Sequence, residues 1–192
     1  TADQSWPALQ TRNVRDGMSR PPRVPGYLDA RPIRDGLRTS VWTVRGYRHG
    51  AAKNTAPAGD RILSGGLLVG SIIFFPLLLI TMPLLIGARP KTRYYMSADR
   101  NAAIAVTAGR TVWHVADHST ARPGTKSGRA LRRDLAPHLV VLLDAADAEL
   151  RAVAVNEKMA EQYEDDLPGL RRTGETGWPR GLKMSRPRKS DL

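Results

Sequence analysis

The 192-residue sequence contains no cysteine and only four histidines. The absence of cysteine excludes disulfide bonds, thiol chemistry and any metal site built on thiolates. His49, His114, His118 and His138 lack the spacing of a metal-ligand motif such as H-E-x-x-H. We therefore expect no metal site in this protein.

Acidic residues are also few: 18 Asp and Glu stand against 30 Lys and Arg, which gives a net charge of +12. The excess lies on both sides of a central apolar run. Residues 1–61 hold eleven Lys and Arg against five Asp and Glu, and residues 89–192 hold nineteen against thirteen. A basic balance favours anionic partners, here anionic lipid headgroups first and nucleic acid second. Nucleic acid is the less favoured of the two, because residues 1–61 lack the interleaved aromatics and the Gly-rich loop of a base-reading site.

One long apolar run dominates the hydropathy of the chain. Residues 62–88 contain no charged side chain; Arg61 precedes them, and Arg89 and Lys91 follow. A helix needs about 20 apolar residues to cross the hydrocarbon core of a bilayer, and this run lacks the polar stripe of a soluble amphipathic helix. We predict a membrane segment over residues 61–89. Since it starts too late for a signal peptide at this N-terminus, we expect it to act as both targeting signal and anchor in the lipid bilayer.

Two prolines divide this run. Pro76 and Pro83 each remove a backbone donor and disturb the preceding turn. The simplest prediction is one kinked span. The alternative is a re-entrant or interfacial hairpin that turns near Phe75 and returns both ends to the same side. The two flanks of the run carry nearly equal positive charge, which leaves the orientation of the segment in the membrane open. A C-terminal domain that binds coenzyme A would face the cytoplasm, and the segment would then lie in the plasma (inner) membrane.

Residues 1–60 are predicted to form a basic, Pro- and Arg-rich arm. Its scattered apolar residues do not supply a core of their own. The arm is expected to lie along lipid headgroups or to be held by protein partners; the alternative is a solvated linker. Its one strand-like piece is residues 39–47, TSVWTVRGY, where two sets of side chains alternate.

The pattern after the apolar run predicts an α+β domain over residues 92–188. A helix is predicted from Ser127, where leucines recur at helical spacing and Arg132, Arg133 and Asp134 fall on the other face. A second helix is predicted at residues 156–163. The predicted strands are residues 93–96, 102–107, 110–116, 150–155, 170–173 and 181–186. The predicted order is therefore β-β-β-α-β-α-β-β.

Four pieces of this domain stand in a particular order. SGRALR begins at Ser127, NEKMAEQY runs from Asn156 to Tyr163, and LPGL and LKMSRP follow. Together they resemble the C-terminal half of the GCN5-related N-acetyltransferase (GNAT) family. SGRALR is similar to the end of the family's pyrophosphate loop, and NEKMAEQY keeps its spacing of seven from Asn to Tyr. LPGL is similar to the Pro-Gly-Phe that follows that Tyr, and LKMSRP to the family's last strand. The resemblance covers residues 93–187. Because the family's N-terminal strand and two helices have no counterpart after the apolar run, it implies a truncated mixed sheet with two helices, fused to a membrane anchor.

The resemblance implies acetyl-CoA as the cofactor and acetylation of an amine as the activity. The residue that matches Tyr163 in the family donates a proton to the departing CoA thiolate, and Asn156 matches a residue that hydrogen-bonds the cofactor arm. The proton of the attacking amine passes to a base, for which Asp117 and His118 are the expected residues.

The same resemblance assigns cofactor binding to the loop before the first long helix. A helix N-terminus exposes free N–H groups and a partial positive charge, so phosphates bind there. Aligning Gly128 with the last glycine of the family's loop puts Lys126 where the family has glycine; a longer loop aligns Arg122 and Gly124 instead. The expected cofactor-binding residues of this loop and helix are Arg122, Gly124, Lys126, Gly128 and Arg129.

Two functions are therefore open at the level of the sequence. The first is a membrane-anchored GNAT-like protein that acts as an acetyl-CoA-dependent N-acetyltransferase. The second is a non-catalytic, membrane-anchored interaction or assembly subunit of a larger complex, built on a degenerate GNAT-like scaffold.

Overall fold

A computed structural model describes residues 20–52, 58–177 and 181–191, apart from the side chains of Ala58, Asp60 and Asp117. This part of the chain forms seven strands, five helices and a short 3₁₀ turn. In chain order they are β1 (Leu28–Asp29), α1 (Pro32–Ala52), α2 (Ala58–Ile73), α3 (Phe75–Ala88), β2 (Thr92–Met96), β3 (Ala102–Ala108), β4 (Val112–Thr120), α4 (Ser127–Ala146), β5 (Glu149–Ala154), α5 (Glu157–Asp166), β6 (Arg171–Thr176), β7 (Leu182–Arg186) and the turn Lys189–Asp191.

The seven strands form one mixed sheet in the order β1-β2-β3-β4-β5-β7-β6. All neighbours are antiparallel except β4 and β5, which run parallel. Parallel neighbours need a crossover connection, and α4 supplies it. The β4–β5 ladder runs from the pair Val112–Glu149 to the pair Val115–Ala152 and ends there, although β4 continues to Thr120.

The predicted element order of residues 92–188 is confirmed. The helix expected from Ser127 begins at Ser127, and the strands and second helix lie within a few residues of their predicted bounds. The strand expected at residues 39–47 is wrong, because these residues lie inside α1. Asp35, Thr39 and Trp42 are buried at helical spacing, and Trp42 packs against Met96 and Ala103 of the sheet. Burial of one helical face outweighs the local alternation.

The fold class predicted with a membrane segment is wrong. Residues 61–88 form two helices, α2 and α3, with a bend of 90° between them. No single helix among the described residues is long and apolar enough to cross a membrane. The bent pair meets both requirements only when its two helices are taken together. Pro76 is the physical cause: it has no N–H to donate to the Ile72 carbonyl, and its ring would clash with that carbonyl in a straight helix.

The expectation that the sheet is built only from residues after the apolar run is wrong. β1 pairs with β2 at Leu28–Met96 and Asp29–Tyr95, so a strand precedes the apolar run. Helices α1 and α3 cover one face of the sheet, where Trp42 and Ile86 pack. One strand and three helices therefore precede β2, and the apolar run contributes two of those helices.

Helix α1 packs closely on α2 and α3 because small residues face them. A Cβ added at Gly36 would stand 2.6 Å from the backbone of Pro83. Ser40 Oγ donates a 2.9 Å hydrogen bond to the Leu78 carbonyl across the same contact. At Gly50 an added Cβ would stand 2.8 Å from Ser64 Oγ on α2. These contacts set the position of the apolar helices relative to α1.

A buried carboxylate ties α1 to the β2–β3 turn. Asp35 is fully buried and accepts hydrogen bonds from Arg100 Nη1 at 2.5 Å and from the Arg31 N–H at 2.7 Å. Arg100 reaches it from a left-handed backbone conformation, with φ of 54°. The pairing compensates for the desolvation of both charges.

The main hydrophobic core lies on the opposite face of the sheet, under α4 and α5. Successive strand side chains point to opposite faces, so Tyr95 belongs to this core while Tyr94 faces α3. The core is built from β3, β4, β5, α4 and α5, and its fully buried members include Ile104, Trp113, Leu135, Leu139, Leu143 and Leu150.

Candidate functional site

An opening is expected where the β4–β5 ladder ends. Beyond Val115 and Ala152 the two strands no longer pair. The β3–β4 ladder is irregular at the same level, because its register shifts between the pairs Ala105–Ala116 and Ala103–Ser119. β4 then leads through residues 121–126 into α4. The end of β4, the end of β5 and the N-terminus of α4 therefore meet in one region.

The loop before α4 is held by its own hydrogen bonds and by α1. Thr125 Oγ1 donates to the Arg122 carbonyl at 2.7 Å. Gly124 has a φ of 83°, in the left-handed region, and an added Cβ would stand 2.8 Å from His49 Cε1 on α1. Arg122 and Lys126 are exposed. The loop is thus fixed against α1 and presents two cations to solvent.

The N-terminus of α4 has no side-chain cap. Lys126 is the N-cap residue and makes no capping hydrogen bond with its side chain. The first main-chain bond into the helix runs from the Ala130 N–H to the Lys126 carbonyl at 2.8 Å. The N–H groups that precede it have no intrahelical acceptor, and such groups bind anions or water.

Gly128 is buried in the first turn of α4 for a reason that the sequence did not reveal. A Cβ at this position would stand 2.5 Å from His118 Nε2 and 2.8 Å from Thr120 Cγ2. The glycine therefore lets the helix approach β4 closely. Any role of its N–H in cofactor binding stays a prediction.

His118 reaches from β4 towards Gly128. Its Nε2 atom is buried and forms no well-aligned hydrogen bond with the described residues, although the Gly128 backbone lies against the ring. Burial lowers the pKa of His118 to about 4, the nearby Arg132 guanidinium acts in the same direction, and the Gly128 backbone acts to raise this pKa. His118 is therefore neutral at physiological pH. Asp117 precedes it in β4, and its side chain lies outside the described part of the structure.

A buried ion pair between α4 and α5 lies beside His118. Arg132 donates to Asp166 Oδ2 from Nε at 3.0 Å and from Nη2 at 2.6 Å. Both side chains are 1% exposed. Arg129 adds a bond from Nε to Asp166 Oδ1 at 3.1 Å, and it also reaches Asp165. We refer to Arg129, Arg132, Tyr163 and Asp166 as the α4–α5 cluster.

This ion pair was not predicted from the sequence. The leucine spacing predicts Arg132 on the other face of its helix, whereas the structure buries it next to Leu131 and Leu135. The only signal was the acidic pair Asp165 and Asp166 at the end of the next helix. Spacing within one helix does not show that a carboxylate from another helix will face the arginine.

Tyr163 completes the α4–α5 cluster. The Arg132 guanidinium carbon lies 4.4 Å from the centre of the Tyr163 ring, in cation–π contact. Burial raises the pKa of Tyr163, and the positive charge of Arg132 only partly opposes this. The hydroxyl therefore stays protonated, as a proton donor must.

Asn156 lies at the opposite end of α5 from the ion pair. It is the N-cap residue of that helix, and its Oδ1 accepts the Met159 N–H at 3.0 Å. The structure thus brings together His118, Gly128, Arg129 and Tyr163 around one pair of helices. Asn156 stands apart from them as a cap.

A groove of about 870 Å³ lies on the sheet face opposite α4. His114 lines it from β4, since Trp113 next to it faces the core. Its charges are paired: Arg151 Nε lies 2.8 Å from Glu149 Oε1, and Lys183 Nζ lies 2.8 Å from Glu175 Oε2. The groove lining includes Ala116, Val153 and Val155, which flank the end of the β4–β5 ladder. It joins strands that are distant in sequence, so no local motif indicated it.

Within the described ranges, no group of three or more His, Asp or Glu side chains is placed to hold a metal ion. In comparisons with known proteins, no family model, no curated protein and no solved structure matches the chain.

Proposed function

We propose that this chain is a GNAT-like protein that binds acetyl-CoA and transfers its acetyl group to an amine. The observation that carries the proposal is the end of the β4–β5 ladder. A single parallel pair stops at Val115 and Ala152, and the uncapped N-terminus of α4 follows β4 after the loop of residues 121–126. This arrangement suits an extended ligand with an anionic group at one end.

The residues around α4 fit the anionic part of such a ligand. The diphosphate would be held by the N–H groups of the first turn of α4, and Arg122 and Lys126 would add positive charge from the exposed loop. Bound acetyl-CoA would supply the activated acyl group. The protein would contribute binding, orientation and the movement of protons.

The proton chemistry rests on Tyr163 and His118. Tyr163 has a raised pKa and would keep its proton for a thiolate leaving group. His118 is held neutral, so one ring nitrogen keeps a lone pair. The amine would approach from the groove, whose lining reaches Ala116 and Val155. The assignment of Asp117 or His118 as the base stays a prediction.

The second function, a non-catalytic interaction subunit, is favoured by a different observation. Charged groups of the α4–α5 cluster satisfy one another: Arg129 and Arg132 both bind Asp166. The Asn156 side-chain oxygen is likewise engaged in capping its own helix. A degenerate site that has become structural would have these features.

Calorimetric titration of the full chain with acetyl-CoA tests the proposal. The full chain is required because α1 and α3 cover one face of the sheet. Lys126→Glu reverses an exposed charge beside the helix N-terminus and should weaken binding by about tenfold, the value of one charge-assisted contact. Arg133→Glu, on an exposed side chain of the same helix, is the matched control. Gly128→Glu is unsuitable, since any side chain there meets His118.

Turnover distinguishes the two functions. Release of free CoA thiol in the presence of primary amines would be measured for the native chain and for Tyr163→Phe. If Tyr163 is the acid, the variant should bind acetyl-CoA normally and turn over about a hundredfold more slowly. Binding without turnover by the native chain would favour the interaction subunit. No binding by the folded full chain would refute the acetyl-CoA proposal.

A further inference from the structure

The two helices of the bent pair, α2 and α3, both expose apolar side chains. We define the apolar arch as Ile62, Val69, Ile73, Leu77, Ile80 and Leu84, whose exposed fractions run from 54% at Leu77 to 76% at Ile62. The residues recur at helical spacing along α2 and again along α3, so each set shares one face of its helix. Phe74, 59% exposed, lies at the bend between them.

The inner faces of these helices are already occupied. Gly36 of α1 packs against Pro83 of α3, and Gly50 packs against Ser64 of α2. The outer faces carry no charged side chain from Ile62 to Ala88. Soluble monomers rarely expose an apolar surface of this kind without using it for binding.

The chemistry of the arch favours lipid over a protein partner. Protein interfaces form about one hydrogen bond per 100–200 Å², whereas the six side chains of the arch can neither donate nor accept one. Aliphatic Ile, Leu and Val dominate it, and α3 is apolar on all sides, a composition typical of contact with hydrocarbon.

Basic residues border the arch. Arg61 stands at the start of the apolar run, and Arg89 and Lys91 follow its end; all three are exposed. Arg34 is also exposed and lies on α1 next to Ile33, an exposed apolar residue, and one turn from Leu37. Each Lys or Arg near an anionic bilayer strengthens binding by about fivefold. This border therefore complements anionic headgroups.

We propose that the apolar arch docks this protein on one leaflet of an anionic bilayer. The side chains of the arch enter the boundary between headgroups and acyl chains, and the basic border contacts the headgroups. This is attachment from one side, because α1 packs on α2 and α3, and the sheet packs on α3 at Ile86. The proposal does not depend on the acetyl-CoA proposal.

Flotation of the full chain with vesicles tests this docking. Vesicles of phosphatidylglycerol and phosphatidylcholine in equal parts are compared with vesicles of phosphatidylcholine alone. Leu77→Gln should reduce partition by about tenfold or more, since one leucine side chain contributes about 1.5–3 kcal/mol on burial. Val141→Gln is the matched control: Val141 is 53% exposed on α4, away from the arch, and its substitution should leave partition unchanged.

The charge contribution is tested separately. Arg61→Gln together with Lys91→Gln should reduce binding to the anionic vesicles by about tenfold or more and should have little effect on the neutral ones. Circular dichroism confirms that each variant is folded. An equal loss for Leu77→Gln and Val141→Gln would overturn the proposal, as would absence of vesicle binding by the native chain. A lipid-free dimer that Leu77→Gln dissociates would assign the arch to a second copy instead.

Discussion

Replacing Asp166 with asparagine removes the negative charge that two arginines share. Arg132 is 1% exposed and has no other carboxylate partner among the described residues, whereas Arg129 is 42% exposed and also contacts Asp165. After the substitution, Arg132 keeps its charge in a buried place, beside the Tyr163 ring, the Met159 sulfur and the neutral His118. Arg129 can turn to solvent.

The magnitudes follow from burial. Removing one partner of a buried pair costs about 3–5 kcal/mol, because the remaining charge stays desolvated. We therefore expect Asp166→Asn to lower the free energy of unfolding by that amount. Arg129→Gln removes only a partly exposed contact to the same carboxylate and should have a much smaller effect, because solvent screens that contact. The two variants act on one site and differ chiefly in burial.

Urea unfolding followed by circular dichroism measures both values. The double variant Arg132→Met, Asp166→Leu removes both charges and fills similar volume, so it should recover most of the stability lost in Asp166→Asn. If Asp166→Asn costs no more than Arg129→Gln, the ion pair is not buried in solution and this reasoning is refuted. A double variant less stable than Asp166→Asn would show that packing, rather than charge, dominates.

Two further predictions concern α1 and β4. Gly36→Ala should lower the free energy of unfolding, measured in urea, by about 1–3 kcal/mol, because the new Cβ meets the Pro83 backbone. Gly46→Ala is the control on the same helix: its Cβ meets nothing within 4 Å, so it should raise that free energy by about 0.5–1 kcal/mol. Equal effects of the two variants would argue against the contact between α1 and α3. The pKa of His118 is about 4 in the folded protein and 6.5 for a free side chain. Between these two values the unfolded chain binds more protons than the folded one. The free energy of unfolding should therefore fall by roughly 3 kcal/mol as the pH is lowered from 6.5 to about 4. His118→Gln should flatten that part of the pH–stability curve, and an unchanged slope would contradict the burial of His118.

The sequence predicted the domain after residue 92 well because its signals are local. Alternation and leucine spacing identify strands and helices within about ten residues, and Asn156 and Gly128 mark the starts of helices. The apolar run was identified correctly as apolar, but its prediction as a membrane segment was wrong. Length and composition indicated a span, whereas Pro76 and the packing on α1 divide the run into two helices bent by 90°.

The residues before the run show what local patterns do not contain. Residues 39–47 alternate like a strand, yet Trp42 has a place against Met96 and Ala103 only if α1 is a helix. The position of Arg132 depends in the same way on Asp166, which lies 34 residues later in the chain. A periodicity reports which side chains share a face, but it does not report what that face meets.

By itself, therefore, the sequence determined the absence of thiol chemistry, the basic charge, the apolar run and the order of strands and helices after it. Tertiary structure alone decided that α1 covers the sheet, that Arg132 and Asp166 are buried together, that Gly128 accommodates His118 and that the groove forms across four strands. The physical reason is that burial is a property of pairs of surfaces. Each of these features exists only where elements distant in the chain exclude water from one another.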